Sequence, residues 1–332
     1  MEWQTENLSA PAYNGAAREL SFLRPYERPL FTEVFMLPGG YVDEEGVVHR
    51  EVEMAPVTGF EEELLDSVGP AACSAHVVTA LLSRCLRRVG KLAPVTISLA
   101  RDLLINDREF LMLKLRELTL GKSLRAMIAC GDPKCAQSMD IAINLDDVMP
   151  VPKPVNRRVF EFDVVEGEET FAFELRLPAG ADQEACAELI HDDPSPAVNH
   201  LLARLVLRIN DNRSVDAQAI SDLPPRVLSE LERRIEELAP LASIDLEAAC
   251  VECQRPLVSH LDLTSFFLNE LQHNRRVLER EVHFIARHYH WPEREILALT
   301  RRKRRRYIEL IQGDSTVGLY ADSTVARLPA NS

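Results

Sequence analysis

Four of the seven cysteines have the spacing of metal ligands. The segment CGDPKC places four residues between Cys130 and Cys135, and CVEC places two residues between Cys250 and Cys253. Short loops of this kind let two thiolates reach one tetrahedral zinc ion, and two such loops complete a four-sulfur structural site with no open position for a substrate. The spacing therefore predicts structural zinc and no catalytic role. Reduced thiols in surface turns, or a site without metal, are the open alternatives.

Strand-like sequence flanks both cysteine pairs and predicts the elements that hold them. SLRAMIAC precedes the first pair and QSMDIAINLDDV follows it, while SIDLEAAC and PLVSHLDLTSF flank the second. Each pair is therefore expected at the tip of a strand-turn-strand element, where turn amides can point at the sulfurs and lower the pKa of the thiols. Two such tips facing each other make a zinc-ribbon-like site.

The other three cysteines, Cys73, Cys85 and Cys186, lie among small and apolar residues in segments with helical periodicity. There cysteine acts as a small buried hydrophobe, and an odd number of cysteines without an export signal argues against a disulfide framework. The start MEWQTENLSA carries acids where a signal peptide has a basic head, and no stretch reaches the roughly 18 to 20 apolar residues of a membrane span. The protein is therefore expected in the cytoplasm, without membrane insertion.

Motifs of catalysis are missing from the sequence. It has no glycine-rich phosphate loop, GxSxG elbow, HExxH helix or acidic calcium loop. His283, His288 and His290 beside Glu281 could form a metal or acid-base group, but this spacing along an amphipathic helix more often serves packing. We predict no enzyme activity and no small-molecule substrate.

The sequence resembles itself at an offset of 120 residues. VTALLSRCLRRVG from Val78 aligns with VNHLLARLVLRIN from Val198, and the same offset pairs Cys130 with Cys250. A repeat of this kind predicts two similar halves. Because the cysteine pairs occupy equivalent places, a pseudo-twofold arrangement would bring them together, and the metal would clamp the halves.

The predicted elements recur in both halves. Strands are expected at 31–37 and 47–54, around a PGG and DEEG turn region, and at 158–165 and 171–177, around EGEE. Apolar residues recur at helical spacing in 71–89, 108–118, 197–209 and 225–238. The predicted fold is α+β: an internally duplicated unit of β-hairpin plus helices, joined by the zinc-ribbon-like four-cysteine site, with a C-terminal helical hairpin.

Composition shifts divide the chain into six parts. Pro150, Pro152 and Pro154 can neither donate to a strand ladder nor continue a helix, so they mark a stiff linker. The predicted parts are an N-terminal arm (1–30), a first unit (31–149), the linker (150–157), a second unit (158–262), the helical hairpin (263–312) and a flexible tail (313–332).

The C-terminal hairpin concentrates aromatic and basic residues. Trp291 lies at the corner of the predicted hairpin. The run RRKRRR at 301–306 is strongly basic, whereas the whole chain has 38 basic and 52 acidic residues and a net charge of −14. That charge argues against general binding of nucleic acid or anionic membranes. A basic helix face docking an acidic surface, in this chain or in a partner, is preferred over nucleic-acid contact or plain solvated surface. The predicted partner-binding residues are Trp291, Arg301, Arg302, Arg304, Arg305 and Arg306.

Five segments of the chain carry a family resemblance: DLLINDREFLMLKLRELTLG, CGDPKC, LRLPAGADQE, CVECQRP and REVHFIARHYHWPEREILALTRRKRRRYIELI. They resemble a bacteriophage baseplate protein family that also occurs in contractile injection systems, and the similarity spans roughly 30 to 313. The resemblance implies a non-enzymatic structural or assembly component of a phage-tail-like particle, with other baseplate or tail proteins as partners. The alternatives are an assembly chaperone absent from the mature particle and, in a different class, a zinc-ribbon nucleic-acid-binding protein.

Overall fold

The computed structural model describes residues 31–68, 74–130, 132, 134–135, 137–148, 157–190, 194–238, 243–272 and 275–314. They form a mixed fold of helices and small antiparallel sheets, which confirms the predicted α+β class. The N-terminal arm, Cys73, the three linker prolines and nearly all of the tail lie outside the described residues. Among the described helices, none has the length and apolar character needed to cross a membrane.

The first half contains a three-stranded sheet, helices and a separate hairpin. The sheet has the order β1-β2-β3, and β4 pairs with β5. The elements are β1 (Glu33–Val42), β2 (Val48–Met54), α1 (Gly59–Val68), α2 (Ser74–Cys85), β3 (Leu86–Val89), α3 (Ile97–Asp102), α4 (Ile105–Leu120), β4 (Ser123–Ala129), β5 (Ser138–Asn144) and α5 (Leu145–Val148).

The second half has the same order of strands and helices as the first, up to the end of its second hairpin. The sheet has the order β6-β7-β8, and β9 pairs with β10. The elements are β6 (Val159–Glu166), β7 (Glu169–Arg176), α6 (Gly180–Ile190), α7 (Pro194–Leu205), β8 (Val206–Ile209), α8 (Ala217–Ser221), α9 (Pro225–Leu238), β9 (Ser243–Ala249) and β10 (Pro256–Asp262).

Element boundaries in the two halves differ by the offset found in the sequence. The helix α7, the strand β8 and the strand β9 each begin and end 120 residues after α2, β3 and β4. The pairing also matches, since Glu53 opposes Arg88 in the first sheet and Glu174 opposes Arg208 in the second. An origin by duplication stays a prediction, but these matched pairs are what it would produce.

Two predicted helices end earlier than their periodicity suggested. Residues 86–89 and 206–209, expected in helices 71–89 and 197–209, form strands. Each stretch adds a third strand to a hairpin and buries the residues at both of its ends. The hydrogen bonds to the neighbouring strand and this burial favour a strand, although the apolar residues also have helical spacing. The predicted PGG and DEEG turn region is confirmed at DEEG, since the chain turns at 43–46, but Pro38, Gly39 and Gly40 lie within β1 at a register shift.

Four helices follow the second half: α10 (Leu263–Gln272), α11 (Arg275–Tyr289), α12 (Glu293–Leu297) and α13 (Arg301–Asp314). The helices α11 and α13 pack against each other as the predicted hairpin, with the short α12 between them. The helix α10 instead buries Phe267, Leu268 and Leu271 in the core of the first half. The C-terminal region is therefore attached to the first half, although it follows the second in sequence.

A buried polar junction joins the two halves near α4. Arg108 is 1% exposed, and its guanidinium donates to Thr79 Oγ1 and to the carbonyls of Ala100 and Ala75. Thr79 in turn donates to Glu184 of the second half, which also accepts from Arg101 at 2.6 Å. The amide of Gly180 donates to the carbonyl of Leu103 at 3.0 Å. These contacts fix the orientation of the halves independently of the cysteines.

Candidate functional site

Two antiparallel hairpins position the four cysteines. Cys130 follows β4 and Cys250 follows β9, so each strand ends at one of the four cysteines. The Cys130 amide donates to the carbonyl of Gln137 at 2.8 Å, and the Cys250 amide donates to that of Arg255 at 2.9 Å. Both turns are therefore closed by the hydrogen bond of the strand ladder, as the flanking sequence predicted.

The sulfurs form one compact group. All four Sγ atoms lie within 4.8 Å of one another, with Cys130 to Cys253 at 3.6 Å and Cys135 to Cys250 at 3.7 Å. A tetrahedron of sulfurs about 2.3 Å from zinc has edges of about 3.8 Å, whereas a disulfide needs about 2.05 Å. The two cross-hairpin distances fit a shared metal ion, and the four residues together could hold one.

Contacts around the sulfurs hold the hairpins against each other. The Arg255 guanidinium lies 3.2 Å from the Asp132 carboxylate, which joins the turn of the second pair to that of the first. The Val251 amide approaches Met139 Sδ at 3.4 Å, and the Met139 side chain is buried beside Cys130 and Cys250. The site is thus closed by both halves of the chain.

Electrostatics at the site differ between the two turns. The amides of Cys253 and Glu252 donate to Cys250 and lower its thiol pKa to about 7. A hydrogen bond from the Gln137 amide lowers the pKa of Cys135, but burial and the neighbouring Cys250 and Cys253 sulfurs outweigh it and raise the pKa to about 12. Clustered thiolates repel one another because each carries a negative charge. A bound divalent cation would attract all of them and so favour the deprotonated sulfurs.

The basic run divides between the inside and the outside of the molecule. Arg304 is completely buried and bonds Glu62 at 2.9 Å and Glu281 at 2.8 Å. Arg301 is buried as well and lies 3.1 Å from Glu62. Arg302, Lys303, Arg305 and Arg306 are exposed, with Arg305 3.7 Å from Glu281. Two of the predicted partner-binding residues, Arg301 and Arg304, thus pair with buried glutamates of their own chain.

Trp291 lies half-buried in an aromatic cluster. Its ring stacks on Tyr289 at 5.0 Å and meets Tyr307 edge-on at 5.0 Å. The nearby His288 contacts Phe284 at 4.4 Å within its own helix, and Glu281 is engaged by Arg304. The cluster therefore packs the corner between α11 and α13.

Sequence reasoning did not identify the carboxylates that receive these arginines. Glu62 lies 239 residues before Arg301 in the chain, and Glu281 lies 20 residues before it. Both are in amphipathic helices, where a glutamate side chain is ordinarily exposed. Asp107 was not identified either, because the group it contacts is also distant in the chain. It is completely buried and accepts a hydrogen bond from the Gly39 amide at 2.7 Å. An acid on the apolar side of its helix was the available signal in each case.

The fold and site together describe a mixed α+β protein with a candidate structural metal centre. The chain matches the family model described as T4 bacteriophage base plate protein over residues 47–268, two thirds of its length, and it belongs to that family. The match confirms the resemblance seen in the sequence; α11, α12 and α13 lie beyond the matched range. No match was found among the curated proteins or the solved structures.

Membership in this family has direct consequences. It is a family of structural phage tail components, which suggests a non-enzymatic role and fits a place in a phage tail particle. It also implies interaction with other phage tail proteins.

Proposed function

We propose that this protein is a non-enzymatic structural or assembly component of a phage-tail-like baseplate, in a contractile tail or a contractile injection system. It acts through protein-protein contacts with other baseplate or tail proteins. The observation that carries the proposal is the family match over residues 47–268.

The four cysteines have a structural part in this proposal. The donor set of Cys130, Cys135, Cys250 and Cys253 fits Zn²⁺, which prefers tetrahedral thiolate coordination. A zinc ion there would supply fixed geometry and binding free energy to the fold. The residues themselves draw the turns of the two halves together, so the centre serves as a clamp.

In this proposal, two of the partner-binding residues predicted from the sequence have a role inside the chain instead. Arg301 and Arg304 form buried ion pairs inside the chain, so their charge supports the attachment of α13. Arg302, Arg305 and Arg306 remain as exposed candidates, and Trp291 packs on Tyr307 of the same helix. The protein would be made in the cytoplasm and join the particle during assembly.

Deletion of the protein in the strain that produces the particle tests the proposal. Electron microscopy of the particles should show tails that are missing or that lack baseplates, and expression of the wild-type chain should restore them. Particles of normal form and yield from the deletion strain would overturn the proposed function.

A further inference from the structure

The exposed face of α13 carries a row of cations next to an apolar residue. Arg302, Lys303, Arg306, Tyr307 and Leu310 recur at helical spacing along about 12 Å of the helix. We call this set the basic stripe. With Thr300 it lines an open depression of about 390 Å³. Within the described part of the chain, no ion pair involves Arg302, Lys303 or Arg306, whereas Arg301, Arg304 and Arg305 each approach a glutamate.

The position of these cations is unfavourable for the helix itself. The first turn of α13 contains no acidic residue, and Arg302 and Lys303 lie there instead. The amides at a helix N-terminus carry a partial positive charge, so acids stabilise this end and cations destabilise it. A negatively charged group from outside would relieve both the repulsion among the side chains and their repulsion from the helix end.

We infer that the basic stripe binds an acidic segment of a partner protein that also carries an apolar side chain. The inference rests on the proposed function and deepens it by giving the chemistry of the partner. Carboxylates would lie against Arg302, Lys303 and Arg306, and the apolar group would cover Leu310, which is 51% exposed. The helix already binds this kind of group inside the chain, since Arg301 and Arg304 hold the Glu62 carboxylate.

Two observations favour a protein over a nucleic acid at this surface. The rings of Tyr289, Trp291 and Tyr307 pack on one another, so they are engaged with each other instead of offering a platform for stacked bases. An exposed leucine at the end of the stripe also matches an amphipathic peptide better than a sugar-phosphate backbone.

Photo-crosslinking in intact producing cells tests this inference. A photoreactive phenylalanine analogue would replace Leu310, and in a control it would replace the exposed Val277 of α11. The crosslinked peptides would be mapped by mass spectrometry. The expected product joins position 310 to a segment rich in Asp and Glu, and position 277 does not give it.

Charge reversal makes the test specific. Arg302→Glu, Lys303→Glu and Arg306→Glu together should reduce that crosslink at least about tenfold. Melting of the purified chain should be retained, because all three side chains are exposed and such substitutions change stability little. The matched control, Arg157→Glu, Arg280→Glu and Arg287→Glu, changes three other exposed arginines by the same total charge and should retain the crosslink.

A nuclease-sensitive product, a crosslink to a segment without acids, an unchanged yield in the stripe variant, or no product would each overturn the inference. Whether the chain contributes to the particle is measured separately, by the deletion. A failure of the proposed function therefore leaves the crosslinking result readable.

Discussion

At the scale of single residues, the four sulfurs give the sharpest expectation. Purified protein should contain about one zinc ion per chain, measured by mass spectrometry of the metal content. Cys250→Ser should lose most of it, because three thiolates bind zinc less well than four. Cys186→Ser changes a buried cysteine outside the cluster and should retain the metal. Equal zinc content in the two variants would contradict a metal site at these cysteines.

Asp107 makes stability depend on pH. Burial raises the pKa of its carboxyl to about 6, against hydrogen bonds from Gly39 and Gly40 that lower it. A raised pKa means that the folded chain binds this proton more tightly than the unfolded chain, so stability falls as pH rises from about 4 to 6. Asp107→Asn removes that penalty. Relative to wild type, the variant should gain up to about 3 kcal/mol between pH 4 and pH 7 in urea unfolding. A stability difference that is flat across this range would refute it.

Residues of the candidate site could be predicted from the sequence where they lie close together in the chain. The intervals within CGDPKC and CVEC are short, so they identified all four members of the cysteine cluster. Glu62, Asp107 and Glu184 could not be identified in the same way. Their partners come from distant elements, and burial of an acid is a property of the packed fold instead of the local sequence.

At the scale of elements, the attachment of α13 depends on Arg304. Arg304→Met should lower the free energy of unfolding by about 3 to 5 kcal/mol, because it leaves the buried carboxylates of Glu62 and Glu281 without their charge partner. Arg302→Met, on the exposed side of the same helix, should change it by less than about 0.5 kcal/mol. Denaturant titration of both variants measures the difference, and similar losses would contradict the buried clamp.

Helices were predictable in place but not always in length. Periodicity gave 108–118 and 225–238, which lie within α4 and α9. It extended two other helices across residues 86–89 and 206–209, because apolar ends with polar residues between them suit either a helix or a strand. The third strand of each sheet pairs with a hairpin formed far earlier in the chain, and local spacing does not contain that information.

At the scale of the whole molecule, the two halves contact each other at several places in the described part of the chain. Among them are the junction at Arg108, Thr79 and Glu184 and the cysteine cluster at the hairpin tips. The offset of 120 residues suggested that equivalent parts would meet, and the sulfurs of the two turns do. The sequence did not indicate that α10 would pack into the core of the first half. An apolar helix face shows that the helix packs against something, but not against which element.

Quantitative mass spectrometry of purified particles tests the central claim most directly. A baseplate component should be present in a fixed ratio to the other baseplate proteins, and that ratio should be unchanged by high-salt washing and repeated density-gradient purification. If the chain is abundant in producing cells but absent from complete, functional particles, it is not a structural component, and the role of an assembly chaperone would replace the one proposed.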